Sequence, residues 1–297
     1  MKSNASRALI IIFLFAIFFC YGVLVGKYQI FPYNQFSSIK SKYAEFKWNN
    51  NNATNLCVIT QDQTLDSESI LIVGHSSGAL GNPNQLIPKK LQNFIEQNSL
   101  NIHSIIFAGD IFSNPSKRMW ANLIDYFQAK EINLIIAPGN HDVGFGENAR
   151  RDIFFQMFPS NFLGGNPLIL NNIKIYIEDS TVNNWHISPE LIKQINSNAD
   201  QMNKIFLIRH HIPISDFIFA ANSLEGYTGA LPRLVDLEER FKLPITIISG
   251  DTGGNPFANR SLCKSHRGLT TISNGMNQSN KNTILALSKN NIFEVSL

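Results

Sequence analysis

Five short clusters in this chain carry side chains able to hold a cation or move a proton. They are Gly74-His75-Ser76-Ser77-Gly78, Gly109-Asp110, Gly139-Asn140-His141-Asp142, Arg209-His210-His211-Ile212-Pro213 and Gly250-Asp251-Thr252-Gly253. Aspartate and asparagine oxygens together with histidine nitrogens suit a hard or borderline divalent metal. Taken singly, each cluster is a polar turn closed by glycine. Taken together they share a position, because each follows an apolar run. In α/β sheets, ligands bind at the carboxyl ends of the strands, so loops in this position are able to converge on one point.

The elements that must position these loops are legible from periodicity. Ile70-Leu71-Ile72-Val73 is a short apolar run of the buried-strand kind, and Ser104 to Phe107, Asn133 to Ala137, Ile205 to Ile208 and Ile245 to Ile248 read the same way. Between the first of these, Ile87, Leu91, Phe94 and Ile95 fall on one helical face, and Trp120, Leu123, Ile124 and Phe127 on another. Alternation of strand and helix predicts a layered α/β domain with largely parallel strands. Ile173 to Ile177 alternates like a half-exposed strand, and Ser188-Pro189-Glu190 opens a helix with a cap residue and then proline. Three strand-like runs around Thr270, Ile284 and Phe293 close the chain. No repeats are present, and one domain is expected over residues 67–297.

The N-terminus is of another kind. Lys2 and Arg7 precede an uncharged apolar stretch from Ala8 to Gly26. As a helix it would span roughly 28 Å, about the thickness of a bilayer core. It lacks a small-residue cleavage site, so residues 1–26 are read as a cytoplasmic tail and an uncleaved single-pass transmembrane anchor. That orientation places the rest of the chain on the extracytoplasmic side of the membrane. Residues 27–66, polar and rich in asparagine, are read as a stalk. Cys20 lies in the anchor, and Cys57 and Cys263 are either one disulfide or two unrelated thiols. A formal charge of +3, with no basic run interleaved with aromatics, excludes a nucleic-acid scaffold.

Gly109-Asp110 and Gly139-Asn140-His141-Asp142 resemble the GD and GNHD/E motifs of the calcineurin-like metallophosphoesterases, and His211-Ile212-Pro213 resembles that family's H-x-P loop. The resemblance runs from about Ile70 to the C-terminus. It implies a four-layer αββα sandwich that hydrolyses phosphate mono- or diesters with metal-activated water. It implies one or two divalent ions (Mn, Fe or Zn) per chain. One ion is then held by Asp110, Asn140, His211 and Asp251, the last standing where the family has histidine. The other falls to His75, in place of aspartate, and to Asp110 as the bridge. Ser77 and Gly253 stand where that second site has histidines, so it is eroded. His141 is implied as the residue that protonates the leaving oxygen or contacts phosphate, and Asp142 as a residue orienting its imidazole.

Two other readings compete. Gly74 to Gly78 also fits the G-x-S-x-G nucleophile elbow of an α/β-hydrolase, with Ser76 as nucleophile. That fold needs several strands before the elbow, where this chain has a polar stretch. Alternatively the fold persists as a binding or scaffolding module that has lost hydrolysis.

Overall fold

The computed structural model describes residues 14–15, 17–22, 59–61, 64–79, 86–144, 148–158, 167–170, 173–182, 187–198, 204–211, 244–251, 261–266, 269–277, 282–288 and 291–297. The chain divides into two compact units, Met1–Asn51 and Asn52–Leu297.

In the second unit the apolar runs become strands buried on both faces. β1 (Ser69–Val73), β2 (Ile102–Ala108) and β3 (Asn133–Ala137) pair in parallel. β10 (Thr283–Ser288) and β11 (Asn291–Ser296) extend them antiparallel, giving the sheet order β11-β10-β1-β2-β3. The second sheet runs β4-β5-β6-β7-β9-β8. Its parallel centre is β5 (Ile173–Ile177), β6 (Lys204–Arg209), β7 (Ile245–Ser249) and β9 (Leu269–Ser273). Its antiparallel edges are β4 (Leu168–Leu170) and β8 (Leu262–His266).

Strand alternation divides the apolar side chains into three cores. Ile70, Ile72, Ile106 and Ala108 from the first sheet meet Ile175, Phe206, Ile208 and Ile272 from the second. Leu71, Val73, Ile105 and Phe107 turn to the other face of the first sheet. There they pack on α1 (Lys89–Asn98), α2 (Lys117–Gln128) and α4 (Asn148–Met157) through Leu91, Ile95, Trp120, Leu123 and Phe154. On the outer face of the second sheet, Leu207, Ile245 and Ile247 pack against Leu191 and Ile195 of α5 (Pro189–Asn198). The layers are therefore helix, sheet, sheet, helix, as expected. Each fully buried Ile or Leu contributes about 1.5–3 kcal/mol.

The Ser188 cap is where the sequence places it, and α2 has a serine cap of its own. Ser116 Oγ accepts from Met119 N–H at the start of α2, and Ser188 Oγ from Leu191 N–H at the start of α5. β5 departs from its reading as half-exposed: Ile173, Ile175 and Tyr176 are buried, because the sheet is covered on both sides.

The polar stretch assigned to the stalk enters the fold before residue 66. Gln61 bridges β11 at Glu294, the Glu294 N–H donates to Thr60 C=O at 2.9 Å, and Leu65 is buried against the first sheet. Residues 27–58, Cys57 among them, lie outside the described residues. Cys263 is disulfide-bonded and Cys20 is a free thiol.

In the first unit, residues 14–15 and 17–22 are helical and their apolar side chains are exposed, Phe15 by 73% and Phe18 by 70%. Among the described residues no helix is long and apolar enough to cross a membrane. The rest of the expected 8–26 anchor lies outside them.

Candidate metal centre

The parallel strands end on the same side of the fold, and backbone contacts bind their tips together. His75 N–H donates to Gly109 C=O at 2.9 Å, Asp251 N–H to His210 C=O at 3.0 Å, and Met276 N–H to Gly74 C=O at 2.8 Å. Two glycines make the approach possible. A Cβ on Gly250 would lie 1.8 Å from Ala108 O, and one on Gly109 (φ +79) would lie 2.4 Å from the His210 ring. The first joins the two sheets at their tips, and the second makes room for an imidazole.

Asp110 is the hub. It follows Gly109 in a left-handed conformation, φ 56, which for a non-glycine residue costs roughly 1–2 kcal/mol. The conformation is held from the GNHD loop. Asp142, wholly buried, accepts from Asp110 N–H at 2.7 Å and Gly139 N–H at 3.0 Å through Oδ2. Its Oδ1 accepts from Ile111 N–H at 3.0 Å and Phe112 N–H at 3.4 Å. Asp110 returns the contact, its Oδ1 accepting from His141 N–H at 2.9 Å. Asp142 thus clamps two backbone loops. It does not orient the His141 imidazole as expected; that ring is tethered at Nδ1 by Ser113 C=O, 3.1 Å away.

The second oxygen of Asp110 faces two imidazoles. His75 Nε2 lies 3.6 Å from Oδ2 and His210 Nε2 lies 3.4 Å from it, and His210 Nε2 is also 3.6 Å from Asp251 Oδ1. In both rings the other nitrogen is committed, His75 Nδ1 to Met276 C=O at 3.2 Å and His210 Nδ1 to Ala108 C=O at 3.0 Å. A carbonyl only accepts, so both Nδ1 atoms carry a proton and both rings turn Nε2 toward a carboxylate. His210 Nε2 is buried and makes no hydrogen bond. The carboxylates call for a positive charge here, met in the metal-free protein by a second proton on His210 and open to a cation in its place.

The titration of the groups follows from this arrangement. Burial opposes charge on His210, but Asp110 and Asp251 override it and carry the imidazole up to about 10. Burial likewise works against charge on Asp110, yet His210 and His75 hold it well below the usual carboxylate range. Burial pushes Asp251 up to about 7 against the pull of His210. Burial and the neighbouring Asp110 charge push Asp142 up to about 7, against the N–H groups of Gly139 and Phe112. For His75, burial outweighs Asp110 and lowers the imidazole.

Of the expected metal ligands, the structure brings Asp110, Asp251 and His75 together, with His210 at the meeting point. Asn140 opens α3 (Asn140–Val143), one residue before the His141 N–H that binds Asp110. His211 packs edge-on against His210, ring centroids 4.7 Å apart, with Ser180 Oγ 2.9 Å from its Nδ1 and accepting its backbone N–H at 3.0 Å. Burial and the neighbouring His210 and Arg209 charges hold its imidazole well below the ordinary value. His210, beside the expected His211, is the histidine whose Nε2 approaches Asp110 and Asp251. Strand parity carries the signal that selects His210, because Phe206 and Ile208 face the other sheet and His210 continues that face. Arg209, on the opposite face, is buried and paired with Glu178. Ser76 is fully buried and donates to Ile111 C=O at 3.2 Å, so it is no exposed nucleophile on an elbow. Gly253 and the Ile212-Pro213 part of the loop lie outside the described residues.

The family model for calcineurin-like phosphoesterases matches residues 75–254, more than half of the chain and all five loops. This protein is a member of the calcineurin-like phosphoesterase family. No individually curated protein matches the sequence. Members of the family generally use divalent metals. Among the described residues of this phosphoesterase, no group of three or more His, Cys, Asp or Glu side chains is placed to hold a metal ion. Pair by pair, the donors nonetheless stand at ligand-like separations. Contacts of 3.4–3.6 Å are the separations expected of neighbouring ligands at bond lengths of about 2.0–2.2 Å. Each imidazole has its far nitrogen anchored as metal-binding histidines do.

Proposed function

We propose that this phosphoesterase is a membrane-anchored, metal-dependent hydrolase of phosphate mono- or diesters. Its cation is held by Asp110, Asp251, His210 and His75, with Asn140 at the rim and His211 supporting from Ser180. The observation that carries this reading is the pair of Nε2 atoms, each ring fixed at Nδ1 by a backbone carbonyl, turned on one carboxylate oxygen. A bound divalent ion supplies Lewis-acid stabilisation of the charge on phosphorus and lowers the pKa of water.

The chain's own residues do the rest. Asp110 and Asp251 set a negative, largely buried pocket floor that selects a cation. His141, tethered at Nδ1, is oriented to deliver a proton from Nε2 to the leaving oxygen. His141→Ala is expected to leave metal binding intact and to lower turnover by about 10²–10⁴-fold. Steady-state hydrolysis of p-nitrophenyl phosphate and bis-p-nitrophenyl phosphate, alongside elemental analysis, tests it; wild-type turnover in the variant overturns the assignment. Stoichiometric metal with no hydrolysis of either ester favours the second reading, a binding module, which the serine at 77 and the glycine at 253 motivate.

The exposed apolar helical residues 14–15 and 17–22 support the anchor, and the disulfide at Cys263 supports an oxidising compartment outside the cytoplasm. The full chain is expected to stay in the membrane pellet through an alkaline carbonate wash. A chain beginning at residue 52 is expected in the supernatant. Release of the full chain by the wash refutes the anchor.

A further inference from the structure

We propose that Asp142 is the positioning residue of the Asp110 centre, its carboxylate fixing the backbone conformation that aims Asp110 Oδ2 at His75 and His210. The proposal rests on the metal-centre reading above and deepens it. The two aspartates form a reciprocal clamp. Asp142, carried by the GNHD loop, accepts from the N–H groups of Asp110, Ile111 and Phe112 in the GD loop, and from Gly139 in its own. Asp110, carried by the GD loop, accepts from the His141 N–H in the GNHD loop. Neither loop can shift without breaking bonds to the other's carboxylate.

Asp110 needs such a device because its φ of 56 is one that L-residues rarely keep unaided. If its backbone relaxed, Oδ2 would turn from both imidazoles. The aromatic packing of the loop reinforces the same geometry from the far side: Phe112 stacks edge-on against Trp120, with ring centroids 5.0 Å apart. Asp142 itself touches none of the proposed ligand atoms, so its influence on the cation is exerted through Asp110.

The test uses the full chain in detergent, titrated with Co²⁺ and followed by the visible absorption of the bound ion. In Asp142→Asn, whichever way the amide turns, an NH₂ group replaces an oxygen that accepts two backbone N–H groups. We expect Co²⁺ affinity to fall by about 10–100-fold, as for residues that orient a ligand, with an altered Co²⁺ spectrum. Glu294→Gln is the control for mere loss of a buried carboxylate. Glu294 accepts from Ser261 N–H at 2.6 Å and Thr283 Oγ at 2.8 Å on the far edge of the first sheet. It is expected to lose stability but to bind Co²⁺ with wild-type affinity and spectrum. Wild-type Co²⁺ binding in Asp142→Asn overturns the proposal, as does an equal loss in Glu294→Gln.

Hydrogen exchange on the unaltered, metal-free chain supplies a readout free of both metal and folding of the variant. The amides of Asp110 and Ile111, which have Asp142 as acceptor, are expected to exchange slowly, and free exchange there refutes the clamp. A wild-type chain that binds no Co²⁺ but protects these amides would sink the metal reading while leaving the clamp standing.

Discussion

Asp110→Asn is expected to abolish stoichiometric metal binding, to lower phosphoesterase turnover by roughly 10³-fold, and to lower the melting temperature. The magnitude follows from the several kcal/mol of charge stabilisation that a catalytic cation contributes, each 1.4 kcal/mol being about tenfold in rate. The sign of the stability change follows from the surroundings of the residue. Asparagine tolerates the left-handed conformation at φ 56, and its oxygen can keep the bond from His141 N–H. Its NH₂ group would then occupy the place of Oδ2, which faces His75 Nε2 and His210 Nε2. A donor there suits the neutral His75 but opposes His210, whose charge the Asp110 carboxylate sustains. The variant therefore loses a buried charge pair as well as a ligand. Elemental analysis, calorimetry and ester hydrolysis on the same preparation check the three parts. A variant that retains metal and full turnover would mean that Asp110 is not the hub, and the reading of the whole centre would fall with it.

That hub was legible in the sequence, and so was most of the frame around it. Runs such as Ile70 to Val73 and Ile245 to Ile248 could become only buried strands, because alternate residues on both faces are apolar and both faces found cover. GD and GNHD gave the two loops that meet at Asp110. Three things escaped. The choice between His210 and His211 depends on which face of β6 continues into the loop, and a motif match does not ask that question. The role of Asp142 depends on a loop thirty residues away in sequence, whose backbone N–H groups take its carboxylate as acceptor. The contacts of Leu65 and the Gln61 bridge with the first sheet are too short a signal to announce themselves in a polar stretch. In each case local composition was silent, and the deciding contact was long-range.

The same long-range logic makes the ion pair beneath the site the second place where one substitution has a large effect. Arg209 is fully buried, and its Nε lies 3.2 Å from Glu178 Oε2, which joins the tips of β5 and β6. The other oxygen of Glu178 accepts from Ser188 N–H at 2.7 Å and so holds the start of α5. Burial raises the Glu178 carboxyl and Arg209 pulls it back down, so the charge on each depends on the other. Arg209→Met strands a carboxylate inside the protein, and the expected loss is about 3–5 kcal/mol. For a domain of this size that corresponds to a fall in melting temperature on the order of 10 °C. Because Ser180, which grips His211, lies two residues beyond Glu178, the folded fraction of the variant should also lose turnover. Adding Glu178→Gln is expected to restore most of the stability. Glutamine can keep the bond from Ser188 through its oxygen, and no charge is left without a partner. If instead the double variant falls below wild type by the sum of the two single losses, then Arg209 and Glu178 act separately, and the join between β5 and β6 lies elsewhere.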